Sequence, residues 1–506
     1  REILNAGLSN DTTRLPQREI DRIRALRRMA LYTTEPDEMH VPLALGRMKP
    51  KQLDFNPHFF QYGGFFFYGC GLLAGIAGLL GLVPLSGGLD PFIRDPDLMA
   101  SFYLAAKIWP FFWSALLPVF VYRLARIGLS RKRSCLAVLL ALSAPGLYVF
   151  GPVLKQVSMA GSISVMATWL GCRLIRRAGL FDYAAAGAAV GLAGAIFPTQ
   201  LILMGGFCWV VLELILRDRT MAWKKCIAAC VVAGAVFVLC NPYWILDYRT
   251  VMSDAKHAMA WYRPDVNIAT VSRVLFEVFP AATGWPLAAC GSIALLALLR
   301  NSSARCIAVY SLAPLLYYGW RITGVPDLGP FWSRQFLMIG PLWAVLFMMA
   351  LKPVRFSATV SLAAICIILA LPYSVLAVAN FRKDATTDST RFVAGRWIDA
   401  NVPEGDTVYI TQQPGPFSTP FFNLNRHPVR PAASPDSMPV GALVISVAEP
   451  NIYGNERFFE AMTLEKEFPS ERMFLGFGPY PEAIGFANGP VRIWRRGHSP
   501  TFQHSE

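Results

Sequence analysis

The sequence predicts an all-α polytopic membrane protein that ends in a small α/β domain. Three observations carry this. Of 506 residues, 54% are hydrophobic and only 16% charged, with a mean hydropathy of +0.40, where soluble chains carry about a quarter charged residues. The apolar residues gather in runs long enough to cross a bilayer. From about residue 384 those runs stop, and short strand-like and amphipathic segments replace them. A soluble multidomain enzyme, a disordered or collagen-like chain and a disulfide scaffold are thereby excluded.

The chain begins with Arg1, not Met, so an upstream segment is expected. A spanning helix needs roughly 20 apolar residues. Residues 100–124, 135–152, 157–175, 226–243, 278–299, 306–320, 333–351 and 357–380 meet that need. The stretch 183–216 is too long for one span and breaks at Phe197-Pro198-Thr199-Gln200, which reads as a helical hairpin. Counting it twice gives about ten crossings.

Lys and Arg set the orientation. The loops 123–134, 173–177, 217–225, 300–305 and 352–355 together hold sixteen of them, whereas the alternate short loops hold little beyond Arg94 and Lys155. The rich set is cytoplasmic, so 84–99, 153–156, 244–277, 321–332 and everything after 381 lie outside. Residues 59–83 disturb this parity. Either they form an interfacial or re-entrant segment with 1–58 outside, or they span and 1–58 is cytoplasmic. The sequence alone leaves both readings open, with the arginines before residue 29 leaning towards the second.

The C-terminal region reads as an extracytoplasmic α/β domain over 385–506, following a membrane domain over 1–384. An amphipathic helix over 390–400 is ended by Asn401-Val402-Pro403-Glu404-Gly405. Strands are expected at 407–410, 442–447 and 491–494, and a helix at 456–467. All ten cysteines precede residue 367, so this domain uses no disulfide. The net charge of +14 comes without a nucleic-acid-binding signature, and many of the basic residues sit in loops facing headgroups.

Several residues could carry chemistry. Asp37 and Glu38 stand in an acidic run from Glu35 to His40. A carboxylate at a water–lipid boundary suits general-base work, and the plain alternative is an acidic turn opening a helix at 38–48. Residues 53–62 pack His58, Gln61 and Tyr62 among aromatics, as a polar site facing lipid or as an interfacial aromatic belt. Lys107 lies within a span, Lys155 on an outer loop, and Arg321 and Arg334 flank 321–332. Cations on one face could bind a lipid-linked phosphate or snorkel to headgroups. A span ends at Asn241-Pro242-Tyr243-Trp244-Ile245-Leu246-Asp247, which also reads as an interfacial stop. No P-loop, dinucleotide fingerprint, Ser-His-Asp arrangement or zinc spacing is present.

Taken in order, residues 36–48 (PDEMHVPLALGRM), 53–62 (LDFNPHFFQY), 241–247 (NPYWILD) and 391–405 (RFVAGRWIDANVPEG) resemble the GT-C class of membrane glycosyltransferases. The branch is the phospholipid-carrier-dependent family related to protein O-mannosyltransferases and aminoarabinose transferases. The resemblance implies an outer loop over 1–58 with the Asp-Glu pair, an interfacial or re-entrant 59–83, and often an outer C-terminal domain. It places the catalytic acid at Asp37. It puts Tyr62 where aminoarabinose transferases carry a phosphate-contacting Lys, so that Lys107 or Lys155 would compensate, and it sets Arg334 in the basic-aromatic element of a late span. The implied activity is inverting transfer of a hexosyl or pentosyl unit from a polyprenyl-phosphate donor to a glycan, lipid or protein acceptor, outside a bacterial inner membrane. Asp37 would be the base, with Glu38, His58, Tyr62, Lys107, Lys155 and Arg334 binding substrate. The sequence identifies no cofactor, and a divalent cation is compatible. The rival reading is a transporter or lipid flippase with Lys107 in the substrate path, though the two related halves usual in transporters are not found. A structural assembly subunit is the third.

Overall fold

A computed structural model describes residues 17–85, 88–177, 179–217, 222–262, 264–298, 301–325, 328, 330–432, 434–447, 456–460, 462–470 and 487–497. In chain order the principal helices are α1 (Gln17–Leu31), α2 (His40–Arg47), α3 (Gly64–Leu79), α4 (Pro96–Ala115), α5 (Leu117–Ala125), α6 (Arg131–Leu142), α7 (Pro145–Phe150), α8 (Gln156–Arg177), α9 (Leu180–Ile196), α10 (Leu203–Arg217) and α11 (Ala222–Cys240). Next come α12 (Tyr248–Trp261), α13 (Ile268–Thr283), α14 (Trp285–Ala297), α15 (Ser302–Ile322), α16 (Ile339–Ala350), α17 (Phe356–Asp384) and α18 (Thr390–Asn401). The strands are β1 (Val408–Ile410), β2 (Val429–Pro431), β3 (Leu443–Val447), β4 (Met462–Phe468) and β5 (Val491–Arg496). The chain divides into two compact units. One takes the described parts of Arg1–Met39, Ser86–Ser101 and Leu376–Glu506, and the other His40–Leu85 with Phe102–Val375.

The helical unit follows the apolar runs, with breaks wherever the backbone lacks a donor. Among the described residues four helices are long and apolar enough to cross a membrane, or five when α13 and α14 count as one bent span. The expected ten crossings are therefore not all carried by unbroken helices. Pro145, which cannot donate to the preceding turn, divides the run 135–152 into α6 and α7. The expected span 333–351 opens as a 3₁₀ turn over Pro330–Phe336, leaving α16 with 12 residues. At Gly284 (φ +81°), a backbone setting that glycine adopts without a Cβ penalty, α13 and α14 bend by 107°. The hairpin expected over 183–216 is present as α9 and α10, joined through Phe197 and the 3₁₀ turn Pro198–Ile202. From the run 59–83 comes α3, whose 16 residues fall short of the roughly 20 needed to span.

The tightest helix pairing is α9 against α11. A Cβ on Gly187 would run into the Ala229 carbonyl and lie 2.9 Å from its carbon, and one on Gly191 would lie 2.9 Å from Ala233 Cα. Gly187 and Gly191 face Ala229 and Ala233, so small residues four apart on both helices let the backbones meet.

In the other unit five strands form one sheet in the order β2-β1-β3-β5-β4, with β1 parallel to β2 and β3, and β5 antiparallel to β3 and β4. Helix α18 buries Ala394 and Ile398 on Val408, Ile410, Ile445, Val491 and Ile493. The expected helix at 390–400 and strands at 407–410, 442–447 and 491–494 are all present. The expected helix at 456–467 is a correction: helix covers only Glu456–Glu460, and 462–468 is strand β4. The reason is cross-strand charge. Glu465 accepts from Arg495 and Glu467 from Arg492, both at 2.8 Å, which rewards extended pairing over a local helix. Helix α1 belongs to this unit, where Arg22 donates to Asn425 (2.6 Å) and the rings of Tyr32 and Phe417 lie 6.2 Å apart. Arg391 is fully buried and donates to Asp384 at 2.8 Å.

Candidate functional site

In the helical unit the structure joins two segments singled out in the sequence. Asn241, Tyr243, Asp247 and Asp254, at the end of α11 and along the following turns, reach the backbone and side chains of 55–64. The Phe55 N–H donates to Tyr243 Oη (2.8 Å), the Phe60 N–H to Asp254 Oδ2 (2.9 Å) and the Gly64 N–H to Asn241 Oδ1 (2.5 Å). Asp247 Oδ2 accepts from Asn56 Nδ2 (2.8 Å) and Oδ1 from Thr250 Oγ1 (2.7 Å). Four polar side chains thus satisfy the donors of an irregular loop that has no ladder of its own. Burial pushes the Asp247 carboxyl up. The hydrogen bonds from Asn56 and Thr250 and the nearby His58 outweigh that, and the net shift is below the ordinary carboxylate range.

His58 sits on this clamp. Its backbone takes φ +48°, its carbonyl accepts from Arg47, and its Nδ1 lies 3.5 Å from Asp247 Oδ2. The imidazole is 45% exposed. Tyr62 is enclosed by aromatic rings instead: Phe59 at 5.2 Å, and His40, Phe66 and Phe67 each at 5.9 Å. Lys107 stands half-buried in α4, where Trp109 Nε1 donates to the Phe65 carbonyl (3.1 Å).

Two of the expected cations meet. Lys155, only 2% exposed just before α8, places Nζ 5.0 Å from the centre of the Phe331 ring. Arg334, in the 3₁₀ turn before α16, places Cζ 4.0 Å from the same ring and 4.8 Å from that of Trp332. Trp332 packs edge-on to Tyr262 at 5.5 Å, and Arg321 Cζ lies 4.5 Å from Tyr262. Lys155, Phe331, Arg334, Trp332, Tyr262 and Arg321 thus form a chain of cation–ring contacts with one ring–ring step, from Trp332 to Tyr262. Each such contact is worth about 0.5–2 kcal/mol. Buried polar groups border it on both elements. Gln156 Oε1, Ser158 Oγ, Ser333 Oγ and Gln335 Oε1 take no hydrogen bond among the described residues. Cations beside hydroxyl and amide groups are the chemistry that binds a phosphate and its sugar.

Asp37 and Glu38 lie in the unit that contains the sheet. Thr33 Oγ1 donates to the Glu35 carbonyl (3.0 Å) and accepts from the Glu35 N–H (3.2 Å), and the Glu38 N–H donates to the Glu35 carbonyl (3.1 Å). This closes a 3₁₀ turn over Pro36–Met39, with α2 following at His40. Glu35 and Glu38 are buried while Asp37 is half-buried, so of the three carboxylates Asp37 is the most open to a reactant. Among the described residues no group of three or more His, Cys, Asp or Glu is placed to hold a metal ion.

The clamp residues Asp247, Asn56 and Asp254 were not marked as functional by the sequence. A signal was present in the spacing of Asp247 and Thr250, three residues apart where a span ends. The Phe331 ring had no signal of its own, since an aromatic beside an interface is commonplace.

No family model matches the chain, and no curated protein matches it. Solved structures do. ArnT from Cupriavidus metallidurans in the apo state is 12% identical, with 93% of this chain and 95% of that one covered and a TM-score of 0.48. The same protein bound to undecaprenyl phosphate gives 12%, 93%, 95% and 0.47. AglB, an oligosaccharyltransferase from Archaeoglobus fulgidus in complex with an inhibitory peptide and a dolichol-phosphate, is 13% identical over 80% of this chain and 58% of that one, with a TM-score of 0.41. ArnT and AglB are both GT-C glycosyltransferases.

Proposed function

We propose that this chain is an inverting glycosyltransferase that moves a sugar from a polyprenyl-phosphate carrier to an acceptor hydroxyl at the outer face of a bacterial inner membrane. The observation that supports it best is the cation–aromatic chain through Lys155, Arg334 and Arg321, bordered by buried polar atoms without partners among the described residues. In this reading those cations bind the carrier phosphate and stabilise the charge it gains on leaving. Asp37 takes the proton of the acceptor hydroxyl as its oxygen bonds to the anomeric carbon. The carbon–oxygen bond to phosphate breaks on the opposite side, and the lipid phosphate departs with the electron pair. His58, Tyr62 and Lys107 of the helical unit are assigned to substrate binding, and Glu38 accompanies Asp37 in its 3₁₀ turn. A donor with an apolar tail explains the bilayer location without any nucleotide-binding motif.

The test has two arms. Arg334→Gln and Lys155→Gln should each weaken binding of a polyprenyl phosphate while insertion is retained, and the double variant should weaken it further. Asp37→Asn should lower sugar transfer by about 10²–10⁴-fold, the usual scale of a general base, with carrier binding unchanged. Unaltered carrier affinity in the double variant would reduce the cations to snorkelling groups. Unaltered transfer in a well-folded Asp37→Asn variant would remove the base and bring the transporter reading forward.

A further inference from the structure

We propose that the exposed face of α12, together with the loop 47–55 bonded beside it, docks on anionic phospholipid headgroups. The chain leaves α11 at Cys240 and enters α12 at Tyr248, with Tyr243–Leu246 forming a single helical turn between them. A membrane span that ends at Cys240 keeps the next residues within reach of the headgroup layer. Ile245 and Leu246 on that turn are 60% and 72% exposed.

Helix α12 has two unlike faces. Val251 is buried and Asp254 accepts from the Phe60 N–H, which fixes the inner side. At about 100° per residue, the exposed Tyr248, Met252 and Met259 fall on one narrow outer stripe. Exposed Lys256 and Arg249 form the next stripe around the helix. No Asp or Glu is on the exposed face, because Asp247 and Asp254 both turn to the 55–64 loop. Through the Phe55–Tyr243 hydrogen bond the surface continues into exposed Leu53 and Phe55. Exposed Arg47, Lys49 and Lys51 lie on the same segment. An apolar stripe with flanking cations is how a helix lies in the interface of an anionic bilayer.

This inference needs only the membrane location and stands apart from sugar transfer. The experiment uses the full chain in lipid nanodiscs, with a nitroxide label on Met252→Cys and the native cysteines replaced. In discs containing phosphatidylglycerol the label should collide with oxygen more than with a water-soluble nickel chelate. Discs of phosphatidylcholine alone should reverse that preference. Arg249→Gln with Lys256→Gln should shift the docked–undocked equilibrium by roughly thirtyfold, at about fivefold for each basic residue. Because cysteine replacement could disturb folding, native mass spectrometry of the otherwise unmodified protein should also show fewer retained phosphatidylglycerol molecules in the Arg249→Gln/Lys256→Gln variant. A label equally wetted in both disc types would overturn the proposal and leave the surface to a soluble partner. Immersion that ignores lipid charge, with unchanged lipid retention in the double variant, would overturn it as well.

Discussion

Replacing Gly187 by Ala tests whether backbone contact between α9 and α11 holds the helical unit together. The new methyl would run into the Ala229 carbonyl, with its carbon 2.9 Å from the carbonyl carbon. Ordinary carbon–carbon contact begins near 3.5 Å, so the helices must part by roughly half an ångström or more. Overpacking of this kind costs typically 1–3 kcal/mol, and the gain in helix propensity returns at most about 1 kcal/mol. A net loss of about 1–2 kcal/mol is expected. Gly191→Ala meets Ala233 one turn further on and should cost a similar amount. The double variant should lose less than the sum, because one separation accommodates both methyls. Gly234→Ala is the control: it lies on α11, where an added Cβ meets nothing within 4 Å. Equilibrium unfolding in mixed micelles, followed by intrinsic fluorescence, would measure all four. If Gly187→Ala proves as stable as Gly234→Ala, the close approach contributes nothing and the argument fails.

Three further outcomes follow from the same structure. Asp384→Asn removes the carboxylate to which the fully buried Arg391 donates, which should destabilise the unit that contains the sheet by up to about 3–5 kcal/mol; limited proteolysis of the full chain would report it. Asp247 has its carboxyl held below the ordinary range, so its contribution is complete above about pH 4 and disappears as pH falls through the lowered native value. The difference in thermal midpoint between wild type and Asp247→Asn should therefore be full at pH 7 and shrink below pH 4. Phe331→Leu removes the ring shared by Lys155 and Arg334 without changing charge, and it should weaken polyprenyl-phosphate binding by about five- to thirtyfold, equivalent to 1–2 kcal/mol, in a direct carrier-binding assay.

Much of the architecture was legible from residue order. Apolar length located α4, α10, α11 and α17, the Pro198 interruption located the hairpin, and Asn401-Val402-Pro403 marked the end of α18. Where the reading stopped short, the deciding contacts were distant in sequence. Strand β4 looks helical along the chain because Glu465, Lys466 and Glu467 suit either state, and only Arg492 and Arg495 decide between them. The two site segments 53–62 and 241–247 were legible as segments, but not their clamp, since Asn56 and Asp247 lie 191 residues apart. Lys155 and Arg334 were legible as cations, and the ring between them was not.

The glycine face of α9 bears on how the protein is made. Helix α9 has only 17 residues, and three of them, Gly187, Gly191 and Gly194, offer no side chain to lipid. Its packing partner α11 is complete only at Cys240, 44 residues beyond Ile196. At a synthesis rate of about 5–20 residues per second, that partner arrives roughly 2–9 s late. In that interval α9 can pack on the earlier helix α8, but its Gly187–Gly191 face stays uncovered. Substitutions on the Ala229–Ala233 face of α11 would therefore lower the yield of inserted protein even where the finished molecule tolerates them.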